Sequence, residues 1–517
     1  MIKISDKSLT IGELVQVARN YVQVELDDVV IDKIKASRAS VEQMLEGGRI
    51  VYGITTGFGS LANKAIDAAD VQELQKNLIV SHATGVGAPF SEDVVRAMLL
   101  LRAKSLSQGY SGVRLELIQA LIDMLNKKVT PIVPEKGSLG SSGDLCPLSH
   151  MVLPLLGEGE AIFQGVRMSG ADAMEKAGIK QIVLEAKEGL ALNNGTQCMT
   201  AVGALAVYDA WELFITAEKV ASMSLEALNG RTDAFDPRIH QVRGQVGQRS
   251  VSAKILEHTK GSTFINNSVP CRDGGFRVQD AYALRCIPQV LGASLDALNY
   301  VSDIIENEMN AVTDNPLIFG DDAISGGNFH GQPVALAMDF LGIAMAEVAS
   351  ISERRTERMV NPDLSNGLPA YLVAQDSKKG LHSGFMIVQY AAAALVSENK
   401  ILAHPASVDS IPSSNNQEDH VSMGTIAARK AAEIIENALQ VVAMEALTAA
   451  QAIDLRLIKP DWSENQDKWF GEKPSALGAA TRPLYEQIRA KVPAMMKDRV
   501  IAPDIAAVAD LIRQEKL

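Results

Sequence analysis

A mainly α-helical protein is what the sequence predicts, built as an elongated central bundle of long helices with an N-terminal globular domain. Two observations carry this. Aromatic residues make up only 5% of the 517 while hydrophobic residues make up 47%, and much of that apolar share is Ala, Leu and Met. Such a mixture packs helices, whereas sandwiches and barrels draw on aromatic and β-branched residues. From about residue 198 onward, apolar residues also recur at helical spacing over long stretches: 199–228, 294–310, 333–355, 383–403 and 423–457. The last contains no Pro and no Gly beyond Gly424, and a pattern that long belongs to a bundle.

Taken in order, residues 11–21 and 39–47 read as short helices, followed by the Gly-rich run VYGITTGFGS at 51–60. Helical patterns return at 71–81 and 91–107, the second opened by Ser91 as an N-cap with acidic residues in its first turn. A helix at 113–127 leads into a Pro- and Gly-dense loop, after which the next helix starts near Pro147 and Leu148. The alternation in EAIFQGVRM, about a Gly turn, predicts a hairpin within 157–168. The length implies more than one lobe. The expected division is an N-terminal domain at 1–198, the long-helix bundle at 199–465, and shorter polar helices at 466–517.

Lys+Arg 49 against Asp+Glu 62 gives a net charge of −13 with no basic block, which argues against a nucleic-acid or anionic-membrane partner. Cys146, Cys198, Cys271 and Cys286 form no CxxC pair and no metal-ligand spacing with a histidine, so they read as buried small hydrophobes in a reducing compartment. The N-terminus lacks a charged-then-apolar leader. The stretch FMIVQYAAAALV (385–396), taken as the most apolar, is too short to span a bilayer. A soluble, cytoplasmic protein without a metal is the expectation.

The densest chemistry lies at 137–150, GSLGSSGDLCPLSH. No GK[ST] follows the glycines, so it is not a P-loop. Gly140-x-Ser142-x-Asp144 lacks the final Gly of a nucleophile elbow. Composition alone favours a helix-capping turn of small residues.

Other blocks change that reading: VYGITTGFG (51–59), NLIVSHATGVG (77–87), LALNNGTQ (190–197), VQDAYALRCIPQV (278–290), GGNFHGQP (326–333) and QEDHVSM (417–423). Together with 137–150, and in this order, they resemble the aromatic amino-acid ammonia-lyases and aminomutases over nearly the whole chain. The resemblance implies that Ser141, Ser142 and Gly143 cyclise without an external cofactor into 4-methylideneimidazol-5-one (MIO), Ser142 giving the methylidene carbon. The family usually has Ala at the position of Ser141, but the ring uses only that residue's backbone. Such a group answers a chemical need. Expelling ammonia from an amino acid requires a strong electrophile, and side chains supply only bases.

Residue roles follow from the same resemblance. Tyr52 is the expected general base, on a mobile loop, and Tyr282 assists proton handling near the ring; which of the two is the base stays open. Arg285, three residues after Tyr282 and on the same helix face, clamps the substrate carboxylate. Asn194 and Gln279 hold substrate and ring, and Phe329 shields the ring or simply packs in the core. Ser81-His82 matches the selectivity pair of the histidine-directed members. Glu418 then accepts the imidazole N–H or assists deprotonation, since a carboxylate buried without a partner is costly. Asn193 stands where those members commonly carry Leu. The implied activity is non-oxidative deamination of L-histidine to trans-urocanate and ammonia, the first step of histidine degradation. The implied assembly is a homotetramer whose sites draw loops from three subunits. The alternatives are an aminomutase, a tyrosine- or phenylalanine-directed lyase, and a helical scaffold in which Ser141 prevents ring closure.

Overall fold

The computed structural model describes residues 1–47, 51, 53–54, 56, 70–266, 278–374, 380–457 and 475–514. The fold is mainly α. The long apolar patterns form the helices Gln197–Ala227, Ile287–Met309, Gln332–Val360, Met386–Leu402 and Gly424–Leu457. The second begins before its apolar pattern does, because Pro288 sits in its first turn, where a missing N–H leaves nothing unsatisfied. The predicted hairpin pairs Glu160–Phe163 antiparallel with Val166–Ser169. Ser91 occupies the N-cap of Glu92–Ser107, but its hydroxyl donates to Asp93 rather than capping a backbone N–H.

Two compact units emerge, each discontinuous in sequence. The first comprises 1–208, 301–339 and 405–430, the second 209–300, 340–404 and 431–517. These ranges differ from a division at 198 and 465, because the long helices carry the chain from one set of ranges into the other.

In the first unit the Glu92–Ser107 helix is buried without a break from Val95 to Ser107 and packs against Ile11–Ala18 and Leu115–Asn126. Its Arg96, 1% exposed, donates through Nε to Ala18 O (3.1 Å), through Nη2 to Val17 O (2.8 Å) and through Nη1 to Leu125 O (3.0 Å). Helix ends leave carbonyls without intrahelical partners, and one guanidinium here answers the ends of two helices. In the second unit the fully buried Arg355 meets Glu445 in a bidentate pair at 2.5 and 2.8 Å, and Ser224 Oγ donates to the same carboxylate at 2.6 Å.

By length and composition, Gln197–Ala227, Gln332–Val360 and Gly424–Leu457 are apolar enough to cross a membrane, unlike the shorter stretch at 385–396. In the folded chain 72%, 67% and 89% of their apolar windows are buried inside the protein. Cys146 and Cys198 are buried free thiols as expected, Cys286 is half-buried, and Cys271 lies outside the described residues.

Candidate active site

The strand Pro134–Lys136 pairs antiparallel with Val86–Pro89 and releases the chain into the loop 137–144, which runs into the helix Leu145–Val152. The helix therefore starts before Pro147, which falls in its first turn. Gly143 has φ +70°, and a Cβ built on it would lie 2.2 Å from Gly195 O, so backbone meets backbone where no side chain fits. Asp144 follows, with no exposed surface. Its N–H donates to Gly195 O at 2.7 Å, and its carboxylate accepts from Met199 N (2.8 Å), Ser138 Oγ (2.8 Å) and Thr425 Oγ1 (2.5 Å). Burial pushes this carboxyl's pKa up and those donors pull it back. The Ser422 and Met423 amides donate to the Gly140 and Leu139 carbonyls, so the loop is clamped on two sides.

A second segment is set against it. The helix Glu188–Asn193 ends at Asn194, and its Ala191 carbonyl accepts from Nε of the fully buried Arg102 at 2.7 Å. Arg102 Nη1 also reaches Gln197 Oε1 at 2.7 Å, and burial lowers its pKa to about 10. At the other end of this helix Lys187 Nζ meets Asp314 Oδ2 at 2.5 Å, both side chains fully buried. Asn194 Nδ2 donates to Asp314 Oδ1 (3.4 Å) and to Asn315 O (3.2 Å), while its Oδ1 is buried without a partner. Asn193 points elsewhere: its Nδ2 donates to Ser149 Oγ at 3.1 Å, tying this helix to Leu145–Val152. The polarity at 193 thus serves a contact between two helices.

A cavity of about 650 Å³ opens between these segments, lined among others by Ser141, Ser142, Asn194, Phe329, His330 and Glu418. Phe329 is half-buried in its wall rather than in the core. Glu418 is half-buried too and not partnerless, since Ser413 Oγ donates to it at 3.0 Å; this corrects the expectation of an unanswered buried carboxylate. A smaller cavity of about 210 Å³ shares Ser141 and adds Gly143, Ser81, His82 and Cys146. His82 ends the helix Val71–His82, with Ser81 Oγ 3.1 Å from its Nδ1. Burial lowers the His82 pKa, a hydrogen bond to Leu78 and the charge of Glu418 opposing it. The segment after it is fixed by Gly85 N, which donates to His150 Nε2 at 2.9 Å.

The first unit therefore brings together Ser81, His82, Ser141, Ser142, Gly143, Asn194, Phe329 and Glu418. Gln279, Tyr282 and Arg285 belong to the second unit and line neither cavity. Gln279 is exposed, Tyr282 is 69% exposed, and the Arg285 guanidinium lies 4.6 Å from the Tyr282 ring centroid, as their spacing predicts. Tyr52 lies outside the described residues. Among the described residues no group of three or more His, Cys, Asp or Glu is arranged to hold a metal. Sequence reading missed Arg102, Asp144, Lys187 and Asp314. Asp144 sat inside the quoted loop but served there only to rule out a nucleophile elbow.

Comparison with known proteins places this geometry. Residues 9–490 match the family model described as aromatic amino acid lyase. The chain is 55% identical over 513 residues to the histidine ammonia-lyase of Alkaliphilus oremlandii (strain OhILAs), covering 99% of this chain and 96% of that one. Among solved structures it resembles histidine ammonia-lyase from Trypanosoma cruzi (39% identity, TM-score 0.88, 99% and 93% of the two chains covered). It also resembles tyrosine aminomutase from Streptomyces globisporus (37% identity, TM-score 0.91, 100% and 97% covered).

Proposed function

The chain belongs to the aromatic amino acid lyase family, and on that premise we propose that it converts L-histidine to trans-urocanate and ammonia through an MIO group formed from Ser141, Ser142 and Gly143. The observation that carries the substrate choice is that His82 and Glu418 line two cavities that share Ser141, so both face the segment that would form the ring. A neutral imidazole offers one donor and one acceptor, and a carboxylate offers only acceptors. Together they match a substrate imidazole and leave a phenyl ring with polar groups unanswered, the kind of mismatch that discriminates strongly.

The residues present suit the prosthetic group. Gly143 holds a backbone conformation that favours glycine, against a neighbour that leaves no room for a side chain, and Ser141 is 9% exposed. Once formed, the ring supplies the electrophilic carbon that side chains lack. Around it, Phe329 keeps water from the reacting atoms and Asn194 offers a buried acceptor. Arg285 holds the substrate carboxylate through its planar fork, Gln279 adds a polar contact, and Tyr52 and Tyr282 move the β-proton. The reading includes a homotetramer in which subunits complete one another's sites, as the resemblance to the family implies. A cytoplasmic enzyme at the head of histidine degradation fits the reducing compartment read from its cysteines.

Ultraviolet absorbance during incubation with L-histidine, L-tyrosine and L-phenylalanine tests this, since a conjugated arylacrylate absorbs where the amino acids do not. Growth with histidine alone is the expected result. Growth only with tyrosine or phenylalanine sinks the substrate assignment, and a β-amino acid among the products would establish an aminomutase. Intact mass adds a separate check on the ring, because a matured chain is lighter by two waters.

A further inference from the structure

Asn194 is 2% exposed, lines the larger cavity, and carries a side chain whose two ends differ in chemistry. Which end meets the reactants is set by its neighbours. Two acceptors, Asp314 Oδ1 and Asn315 O, converge on one terminal atom, which must therefore be the NH2 group. The carbonyl oxygen is left buried and unpaired. Asp314 is itself held. Lys187 grips its other oxygen at 2.5 Å, and Asn315 N donates to Oδ1 at 2.7 Å. An orphaned buried acceptor is rare in a folded protein and usually has a reason outside the protein.

We propose that Asp314, anchored by Lys187, is a positioning residue that fixes the Asn194 amide so that its oxygen accepts a hydrogen bond from the amino group of the substrate. This rests on the reading of the cavity as an amino-acid site. Asp314 touches no reactant and acts only through Asn194. Replaced by an amide, position 314 offers a donor as well as an acceptor, and the Asn315 carbonyl alone is left to orient Asn194.

Asp314→Asn is expected to lower kcat/KM for L-histidine roughly 10- to 100-fold, the range of a lost hydrogen bond to a charged group. Affinity for 3-(imidazol-4-yl)propanoate, which lacks the amino group, should stay within about twofold by calorimetry. In an Asn194→Ala background the same substitution should cost nothing further. Parallel loss of affinity for the propanoate, or losses that multiply in the double variant, would overturn the proposal. Asp314→Glu, which keeps an acceptor-only carboxylate for Lys187 and Asn194, guards against a variant that does not fold and should lose less kcat/KM than Asp314→Asn. A crystal structure of Asp314→Asn at roughly 1.2 Å or better separates this inference from the substrate assignment. An Asn194 amide that keeps the wild-type orientation refutes it whatever the substrate, whereas a turned amide in a protein inert towards histidine supports it and sinks only the substrate assignment.

Discussion

Arg96 and Arg102 sit on the same buried helix, both almost fully removed from solvent, and both donate to backbone carbonyls at the ends of other helices. Their surroundings differ. Arg96 gathers the ends of Ile11–Ala18 and Leu115–Asn126 and lies 4.2 Å from the Tyr21 ring centroid, and none of these hydrogen-bond partners lines either of the two cavities described. Arg102 holds the helix that presents Asn194 and, through Gln197, a side chain hydrogen-bonded to Thr313 beside Asp314. One chemical device, a cation answered by carbonyls, therefore serves two ends. A buried charge is worth what answers it, and its function is whatever those answering groups carry.

That contrast can be broken by experiment. Arg102→Met leaves buried acceptors unpaired and frees the helix behind Asn194. It should lose about 3 kcal/mol of stability and at least ~100-fold in kcat/KM, the cost of a site displaced by about an ångström. Arg96→Met should lose a similar ~3 kcal/mol yet keep kcat/KM within about threefold, measured well below its melting temperature. Equal catalytic losses in the two would dissolve the distinction.

An unanswered charge sharpens the comparison from the other side. In the second unit Glu218 is buried with Oε1 unpartnered, and burial raises its pKa to about 7. With the folded value above the unfolded one, its contribution is fully present below about pH 4.5 and lost as pH rises through about 7. Glu218→Gln should therefore flatten the fall of melting temperature between pH 5 and 8, and stabilise the chain by about 1–3 kcal/mol above pH 7. An unchanged pH profile would mean that the carboxylate finds a partner in solution. The smallest effect belongs to Asn193→Leu. It removes one hydrogen bond to Ser149 and an unpaired carbonyl oxygen together, so stability should move by less than about 1 kcal/mol in either direction. A loss of activity there would show that Asn193 reaches further than the helix contact.

The long helices were legible because apolar residues at a 3.6-residue period survive as a one-dimensional signal over 30 residues. The hairpin at 160–169 was legible for the same reason with a period of two. The cavity-lining residues of the first unit were visible as motifs, but not as a site. Lys187 and Asp314 are 127 positions apart, and neither looks unusual until the other arrives. Arg102 reads as one more polar position of a helix until every face of that helix proves buried. Glu418 shows the opposite error. The serine that answers it lies only five residues upstream, but a backbone reversal at 413–418 was needed to bring it near.

The three long helices whose apolar windows rival membrane spans have a consequence for how the protein fails. Folded, most of that surface is hidden; melted, the chain presents three greasy stretches at once, each able to stick to its counterpart on another molecule. Clumping then competes with refolding, so resistance to prolonged heat depends on how fast the chain first opens as well as on its free energy of unfolding.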